Sequence, residues 1–212
     1  KDLLMTPDDY TAVLSKFDLQ SKTRKTGDVT LDDYLKYAGE QVVEWTPDES
    51  KIMGEIIASI GSKIKTLGLN LKMQDTIQLI KSTMINEGGA DGYTRGSYIV
   101  LKDKYVGTKS ERLEALVTHE LFHVLSRYDK AMSERVYNTL GFKKCNEVAY
   151  PPEIADMRIS NPDAPFNNFY ITVIQDGKPV DVMLILFASK PYTSGSFFMY
   201  MQVGLLVVAG DE

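Results

Sequence analysis

The sequence predicts an α+β fold, with helices in the first part of the chain and most strands in the last. Helix start signals followed by helical apolar spacing occupy residues 1–70. Short β-like runs fill residues 151–212, and between the two parts lies one apolar run, Leu116–Leu125, that has helical spacing and carries polar residues. We therefore expect N-terminal helices, a small mixed or antiparallel sheet with a central helix at 71–150, and a β-rich C-terminal part.

Three helix start signals lie in the first third of the chain. Thr6-Pro7-Asp8-Asp9 predicts a short helix through about Phe17, and Thr30-Leu31-Asp32-Asp33 predicts another toward Val43. Thr46-Pro47-Asp48-Glu49 is a more complete signal, because it combines a threonine cap, proline at the first helical position and glutamate three residues after the cap. The apolar residues that follow recur at helical spacing: Ile52, Ile56, Ile57, Ile60, Ile64 and Leu67.

The pattern changes to β in the middle of the chain. Residues Thr76–Thr83 predict a strand, Glu87–Gly92 a turn-rich connection, and Tyr93–Lys102 the strand that returns. After the central run, Ser133–Leu140 predicts a helix that Gly141 ends.

The last part of the chain alternates strands and breaks. The β-like runs are Ile171–Ile174, Val180–Phe187 and Phe197–Val208. A rigid loop, Asn161-Pro162-Asp163-Ala164-Pro165, precedes them.

Length and composition indicate one domain over residues 1–212. The chain has 43% hydrophobic residues and no composition shift that divides it. The net charge of −5 is spread along the sequence without a basic block, which argues against nucleic-acid binding. Cys145 is the only cysteine, so a disulfide framework is excluded.

The apolar stretches and the first residue of the sequence give expectations about where the protein is located in the cell. They are too short to cross a bilayer, so no membrane span is expected. The sequence begins at Lys1 without an initiator methionine, and we interpret this as compatible with an exported protein, periplasmic, secreted or surface-attached, whose signal segment is absent from this chain.

The central run contains the motif His119-Glu120-Leu121-Phe122-His123, which uses both histidines of the protein. On a helix the two imidazoles lie one turn apart on one face, which is the spacing that two ligands of one metal ion need, with Glu120 beside them as a candidate base. The alternative is a polar stripe that pairs with neighbouring strands. Apolar residues flank the motif on both sides, and buried imidazoles without partners are costly, so we favour a bound cation.

The motif and its surroundings, Leu116–Arg127, resemble the zincin metallopeptidases, in a gluzincin-like form with two histidines and a glutamate as ligands. The W-T-P-D-E segment at 45–49, the Y-T-R-G segment at 93–96 and the N-P-D-A-P loop are also similar to uncharacterised bacterial zinc peptidases. The resemblance implies a zinc peptidase that acts on a peptide or protein substrate. It also implies that the strand before the motif is an edge strand that binds an extended peptide, with Arg95 and Tyr98 as substrate-binding residues; an ordinary core hairpin is the alternative.

A zinc site of this kind needs a third protein ligand, and with both histidines used it must be a carboxylate. The downstream candidates are Asp129, Glu134, Glu147 and Glu153. Asp129 occupies the third-ligand position of the metzincin pattern, but Ser126 replaces the glycine of that pattern. Glu147 is our choice, because the 23 residues after His123 allow the chain to return and the neighbouring residues are apolar.

The resemblance implies roles for further residues. Glu120 would act as general base for a water on the zinc ion held by His119, His123 and Glu147. Tyr170 would donate to the oxyanion, with Tyr150 and Tyr192 as open alternatives. The histidines would give their other N–H to a carboxylate, for which the sequence offers Asp156, Asp163 and Asp181. Two other functions stay open: a catalytically inactive zincin-like binding module, and a zinc hydrolase of a non-peptide amide.

Overall fold

A computed structural model describes residues 1–208 and confirms the predicted α+β class. In chain order its helices are α1 Asp2–Met5, α2 Lys16–Thr23, α3 Leu31–Glu40, α4 Pro47–Thr66, α5 Asp103–Val106, α6 Glu111–Tyr128, α7 Lys130–Thr139 and α8 Pro152–Ala155. Its strands are β1 Val42–Val43, β2 Gln78–Ser82, β3 Gly92–Arg95, β4 Tyr98–Lys102, β5 Phe142–Lys144, β6 Phe169–Gln175, β7 Lys178–Ala188 and β8 Met201–Val207. Short 3₁₀ turns lie at Thr11–Val13, Ile85–Glu87 and Phe197–Met199.

The chain forms two compact units. The first unit contains Lys1–Thr6 and Leu35–Asp129, and the second contains Pro7–Tyr34 and the chain from Lys130 onward. The prediction of a single metallopeptidase domain over 1–212 stays a prediction. Among the described helices, none combines the length and the apolar character that a membrane crossing requires.

The first unit is built on a four-stranded mixed sheet in the order β1-β2-β4-β3. Strands β2 and β4 are parallel, and the two outer pairs are antiparallel. The prediction of one strand over Tyr93–Lys102 that returns along the preceding strand is wrong. Gly96 turns the chain at φ +51°, so the segment forms the hairpin β3–β4, and only its second strand pairs with β2. The edge strand that precedes the motif helix is therefore β3.

Helices α4 and α6 complete the core of this unit. Helix α4 begins as predicted, because Thr46 accepts from the Glu49 amide while the Glu49 carboxylate accepts from the Thr46 amide. Helix α6 begins at Ser110, whose side chain accepts from the Leu113 amide. Their apolar faces pack with strand β4 in one cluster: Met53, Ile56, Ile60, Ile99, Leu101, Val106, Leu113, Val117 and Val124. This packing fixes which face of α6 is left for the motif.

The second unit is built on an antiparallel sheet in the order β5-β6-β7-β8. Three predicted strands and the loop at 161–165 are present, except that the strand predicted from Phe197 begins only at Met201, because Phe197–Met199 forms a 3₁₀ turn. Helix α7 begins three residues earlier than predicted and is followed by Gly141 at φ +90°. Aromatic residues dominate the core cluster of this unit: Phe17, Ile159, Ala188, Tyr192, Phe197 and Tyr200.

The predicted helix from Thr6 to Phe17 is wrong. The Thr11 amide donates to Asp8 Oδ1 at 3.0 Å and the Asp8 amide donates to Thr11 Oγ1 at 2.7 Å, which closes a local turn instead of starting a helix. Helix α2 begins later, at Ser15, where a reciprocal capping box with Asp18 forms.

Candidate metal centre

Helix α6 brings the two histidines of the motif together. The Nε2 atoms of His119 and His123 are 3.1 Å apart, and their rings meet edge to face with centroids separated by 4.8 Å. His119 is exposed and His123 is half-buried. The pair therefore presents two nitrogen atoms to one point near the surface of the first unit.

This separation can be compared with that of two zinc ligands. Zn–N bonds of about 2.0–2.1 Å in a tetrahedral site place two ligating nitrogens roughly 3.3 Å apart. The observed 3.1 Å is close to that value, so the pair fits a zinc ion with little adjustment. The same separation suits one N–H···N hydrogen bond between neutral rings, which is the polar-stripe alternative.

Glu120 lies between the histidines in sequence but is buried against the sheet, with 2% of its surface exposed. The Glu120 carboxylate lies close to Gly92, at the start of β3. A Cβ atom added to Gly92 would lie 2.7 Å from Glu120 Oε1 and 3.2 Å from its Cγ and Cδ atoms. Glycine at position 92 is therefore what leaves room for the carboxylate. The sequence indicated Gly92 only as the end of a turn-rich connection.

Arg127 fixes the last turn of α6 to the β3–β4 hairpin. Its Nη1 donates to Thr94 Oγ1 at 2.7 Å, and its Nη2 donates to the Thr94 carbonyl at 3.2 Å. A longer bond of 3.4 Å reaches the Gly96 carbonyl. Sequence analysis missed this residue, because its role depends on a contact between segments 33 residues apart.

The helix continues past the position where the metzincin pattern has glycine. Ser126 is helical and its Oγ donates to the His123 carbonyl at 2.9 Å. The helix runs on to Tyr128, and Asp129 ends it with φ −103° and ψ 85°. Asp129 therefore follows a helix that is unbroken at Ser126.

The other candidate third ligands belong to the second unit. Glu134 pairs with Lys144 at 2.6 Å, and Glu147 and Glu153 are exposed. The expectation that the chain beside Glu147 is buried is wrong for Ala149, which is exposed. The choice of Glu147 stays a prediction.

Arg95 and Tyr98, predicted to bind substrate, hold the N-terminal segment of the first unit. Arg95 is 1% exposed and donates to the carbonyls of Leu4 at 3.3 Å and Thr6 at 3.1 Å. Tyr98 is 7% exposed and its hydroxyl donates to the Leu3 carbonyl at 3.3 Å. Their substrate role stays a prediction, and the structure gives both side chains partners within the fold.

The edge strand β3 is itself covered. Tyr93, Thr94 and Arg95 are at most 1% exposed, main chain included, and only Gly92 reaches the surface in part. An extended peptide therefore has no free main chain to pair with at 93–95 in this conformation. The exposed side of the motif is the side of His119.

The three tyrosines considered as oxyanion donors all lie in the second unit. The Tyr150 hydroxyl donates to the Leu186 carbonyl and accepts from the Leu186 amide, and burial raises the pKa of Tyr150. The Tyr192 hydroxyl donates to the Gly195 carbonyl at 3.1 Å. Tyr170 is half-buried, with Lys143 Nζ 5.6 Å from its ring centroid. Its catalytic role stays a prediction.

Two of the aspartates named as partners for the histidines have contacts within the second unit. The Asp181 carboxylate accepts from Thr172 Oγ1 at 2.6 Å. The Asp163 main-chain N–H donates to Asn161 Oδ1 at 2.9 Å, so the Asn161 side chain caps the backbone of the loop.

One segment of the chain matches a known family. Residues 80–131 match the family model of the eCIS core domain. This segment, about a quarter of the chain, extends from within β2 to the start of α7 and contains β3, β4 and the whole of α6. The eCIS core match thus includes the motif, Gly92 and Arg127. No curated protein and no solved structure matches the chain.

Proposed function

We propose that the protein is a zinc-dependent peptidase whose two zinc-binding histidines and catalytic glutamate lie on α6 of the first unit. The observation that carries this proposal is the geometry on α6: two histidine nitrogens lie 3.1 Å apart, and Glu120, which follows His119 in sequence, is buried against a glycine of the edge strand. The eCIS core family, named for the core of extracellular contractile injection systems, is associated with zincin-like metallopeptidase domains, and this association supports the proposal.

His119 and His123 would hold the zinc ion, with Glu147 as the proposed third ligand and Glu153, Glu134 and Asp129 as the alternatives. When bound, zinc lowers the pKa of a water toward neutrality and polarises a carbonyl. Glu120 is the proposed base. It would take a proton from the attacking water and pass it to the leaving amine.

The surroundings of Glu120 suit that role. Its carboxylate is held between α6 and Gly92, so the side chain has little freedom to move away from the histidine pair. Arg127 fixes the same hairpin to the same helix. Tyr170 is the proposed oxyanion donor. The substrate would approach from the exposed side of His119, because residues 93–95 of β3 are buried.

The first experiment measures zinc in the purified protein by elemental analysis, for the wild type and for His123→Ala. We expect about one zinc per chain in the wild type and its loss in the variant. A protein that takes up no zinc after reconstitution would show that the histidine pair is a polar stripe. The same measurement on Glu147→Gln, Glu153→Gln, Glu134→Gln and Asp129→Asn identifies the third ligand as the variant that loses the metal.

The second experiment measures turnover of an unstructured protein. Glu120→Gln should retain zinc and lose roughly 10²–10⁴-fold in rate. Glu111→Gln makes the same chemical change on an exposed residue of the same helix and should leave the rate unchanged. Zinc binding without cleavage of any peptide in the wild type would favour the inactive binding module or a hydrolase of a non-peptide amide.

A further inference from the structure

A cavity of about 250 Å³ lies in the second unit, where α7, the strands β5–β7 and the loop at 161–165 meet. Aromatic rings form much of its wall: Tyr137, Phe142, Tyr150, Phe166 and Phe169. Three of these rings pack together, with Tyr137 edge-on to Phe142 at 6.4 Å and to Phe169 at 4.8 Å. Phe166 and Leu184 are exposed at 44% and 55%, so the cavity is open to solvent on their side.

A positively charged side chain, Arg158, also lines this aromatic cavity. The Arg158 guanidinium stacks over the Tyr150 ring at 5.0 Å from the centroid, and its Nη2 donates to the Pro165 carbonyl. Its Nε is buried and has no hydrogen-bond acceptor, and Arg158 pairs with no carboxylate among residues 1–208. The guanidinium is thus positioned by a ring and a carbonyl while part of its donor edge is left unused.

The neighbouring hydroxyl does not supply the missing acceptor. Tyr150 Oη already accepts from the Leu186 amide at 3.2 Å and donates to its carbonyl at 3.1 Å. A buried donor without an acceptor is costly, and more so when it carries charge. An oxyanion placed in the cavity would pair with the Arg158 guanidinium, which lines it, because the planar guanidinium suits a carboxylate and remains available for it when one face is stacked on a ring.

The volume of the cavity and its aromatic wall indicate which group the carboxylate is attached to. A cavity of about 150 Å³ is enough for benzene, so about 250 Å³ accommodates one ring or one branched aliphatic group together with a carboxylate. Ring faces and edges favour an aromatic group. Asn168 also lines the cavity and offers an amide for a neighbouring polar group.

We infer that this cavity is a binding site for a carboxylate that carries an adjacent aromatic or branched apolar group, with Arg158 as the anion anchor. The same chemistry occurs in a small free acid and in the C-terminal residue of a peptide. The inference concerns the second unit alone and does not rest on the proposed zinc site.

The test is calorimetric titration of the full chain with N-acetylphenylalanine and, as matched ligands, N-acetylphenylalaninamide and acetate. The amide lacks the charge and acetate lacks the ring, so each should bind about tenfold more weakly or worse. Equal affinity for the acid and the amide, or no binding of the acid at up to about 10 mM, would overturn the inference.

Three variants separate binding from folding. Arg158→Gln should weaken binding of the acid by about tenfold or more, whereas Arg135→Gln, which removes an exposed arginine from α7, should not change it. Because Arg158→Gln also removes the bond to Pro165, Ala164→Trp provides a second variant, which fills the cavity from its exposed rim and leaves Arg158 in place. Wild-type affinity in a folded Ala164→Trp would overturn the inference.

One further ligand distinguishes the two sources. A tripeptide that ends in phenylalanine with a free carboxylate should bind at least as tightly as the acetylated amino acid if the site takes peptide C-termini. If the site takes a free acid, the preceding residues should clash at the rim and weaken binding. Tighter binding of the tripeptide would assign the site to peptide C-termini, and weaker binding would assign it to a free acid. In both cases the site binds a carboxylate with an adjacent apolar group.

Discussion

At the scale of single residues, the proposed active site depends on a glycine that carries no chemistry. Gly92 lies at the start of β3 with an ordinary φ, so its backbone conformation does not require glycine. Glycine is required there because the Glu120 carboxylate occupies the volume in which a Cβ atom would lie. The absence of a side chain at position 92 thereby allows the Glu120 carboxylate, the proposed base, to contact the edge strand.

The first prediction is that Gly92→Ala lowers the free energy of unfolding by about 1–3 kcal/mol, because the new methyl group overlaps Glu120 Oε1. Urea denaturation measures the change. Gly54→Ala on α4, where an added Cβ meets nothing within 4 Å, should instead stabilise the protein by about 0.5–1 kcal/mol. A Gly92→Ala protein as stable as Gly54→Ala would contradict the close approach. If the proposed function holds, Gly92→Ala should retain zinc and lose turnover.

Asp18 shows the effect of burial on a charge in the second unit. Its carboxylate accepts the main-chain N–H groups of Ser15 and Ser160 at 3.1 Å, and Lys22 Nζ is 4.0 Å away. Burial raises the pKa of Asp18, and the attraction of Lys22 only partly opposes this. The folded protein therefore holds the proton more tightly than the unfolded chain. The carboxyl group contributes most to stability at low pH, and that contribution is lost as pH rises through the folded pKa.

The second prediction follows from that sign. Between about pH 4 and pH 7 the wild type should lose stability relative to Asp18→Asn as the pH rises, since the variant has no proton to release. Urea denaturation across this range measures the difference between the two proteins. Asp176→Asn, on an exposed turn at φ +50° that asparagine tolerates, should show no comparable trend. A difference between wild type and Asp18→Asn that stays constant with pH would contradict the prediction.

At the scale of elements, the sequence predicted those helices whose ends are decided locally. Helix α4 is the clearest case, because Thr46 and Glu49 form both bonds of the capping box that the spacing indicated. The segment after Thr6 has similar residue types, but Asp8 and Thr11 bond to each other and close a turn. Composition alone does not distinguish these two outcomes, since both use an acidic side chain and a hydroxyl three residues apart.

The third prediction concerns the start of α4. Thr46→Ala should lower the free energy of unfolding by about 1 kcal/mol, because the Glu49 amide loses its acceptor. Thr66→Ala removes the same side chain at the exposed last residue of the same helix and should change stability by less than about 0.5 kcal/mol. Equal effects of the two substitutions in denaturant titrations would show that the cap contributes nothing.

At the scale of the whole molecule, the site was predictable only where one helix forms it. The spacing of His119 and His123 is a property of α6, so the sequence was sufficient to bring them together. Gly92 and Arg127 were missed because their roles come from the contact of α6 with a hairpin about 30 residues earlier in the chain. A third metal ligand poses the same difficulty, since it depends on contacts that no local spacing encodes.

The fourth prediction tests the hydrogen bonds by which Arg95 holds the N-terminal segment of the first unit. Arg95→Gln should lower the free energy of unfolding by about 1–3 kcal/mol, because the carbonyls of Leu4 and Thr6 lose their donor inside the fold. Arg112→Gln, which breaks an exposed ion pair with Asp91, should cost less than about 1 kcal/mol. Unchanged stability of Arg95→Gln together with weaker substrate binding would favour the predicted substrate role of Arg95 over the structural one.

The second unit combines two segments that are far apart in the chain, and this affects how it folds during synthesis. Helix α2 is synthesised well before its partners, because Asp18 accepts hydrogen bonds from Ser160, 142 residues later, and Phe17 packs on Tyr192 and Tyr200. At about 5–20 residues per second, the ribosome needs roughly 7–30 s to supply Ser160 after Asp18 has emerged. During that interval the native contacts of Phe17 with Tyr192 and Tyr200 cannot form. The nascent chain therefore exposes this aromatic side chain to aggregation, and to capture by chaperones, until the rest of the second unit has been synthesised.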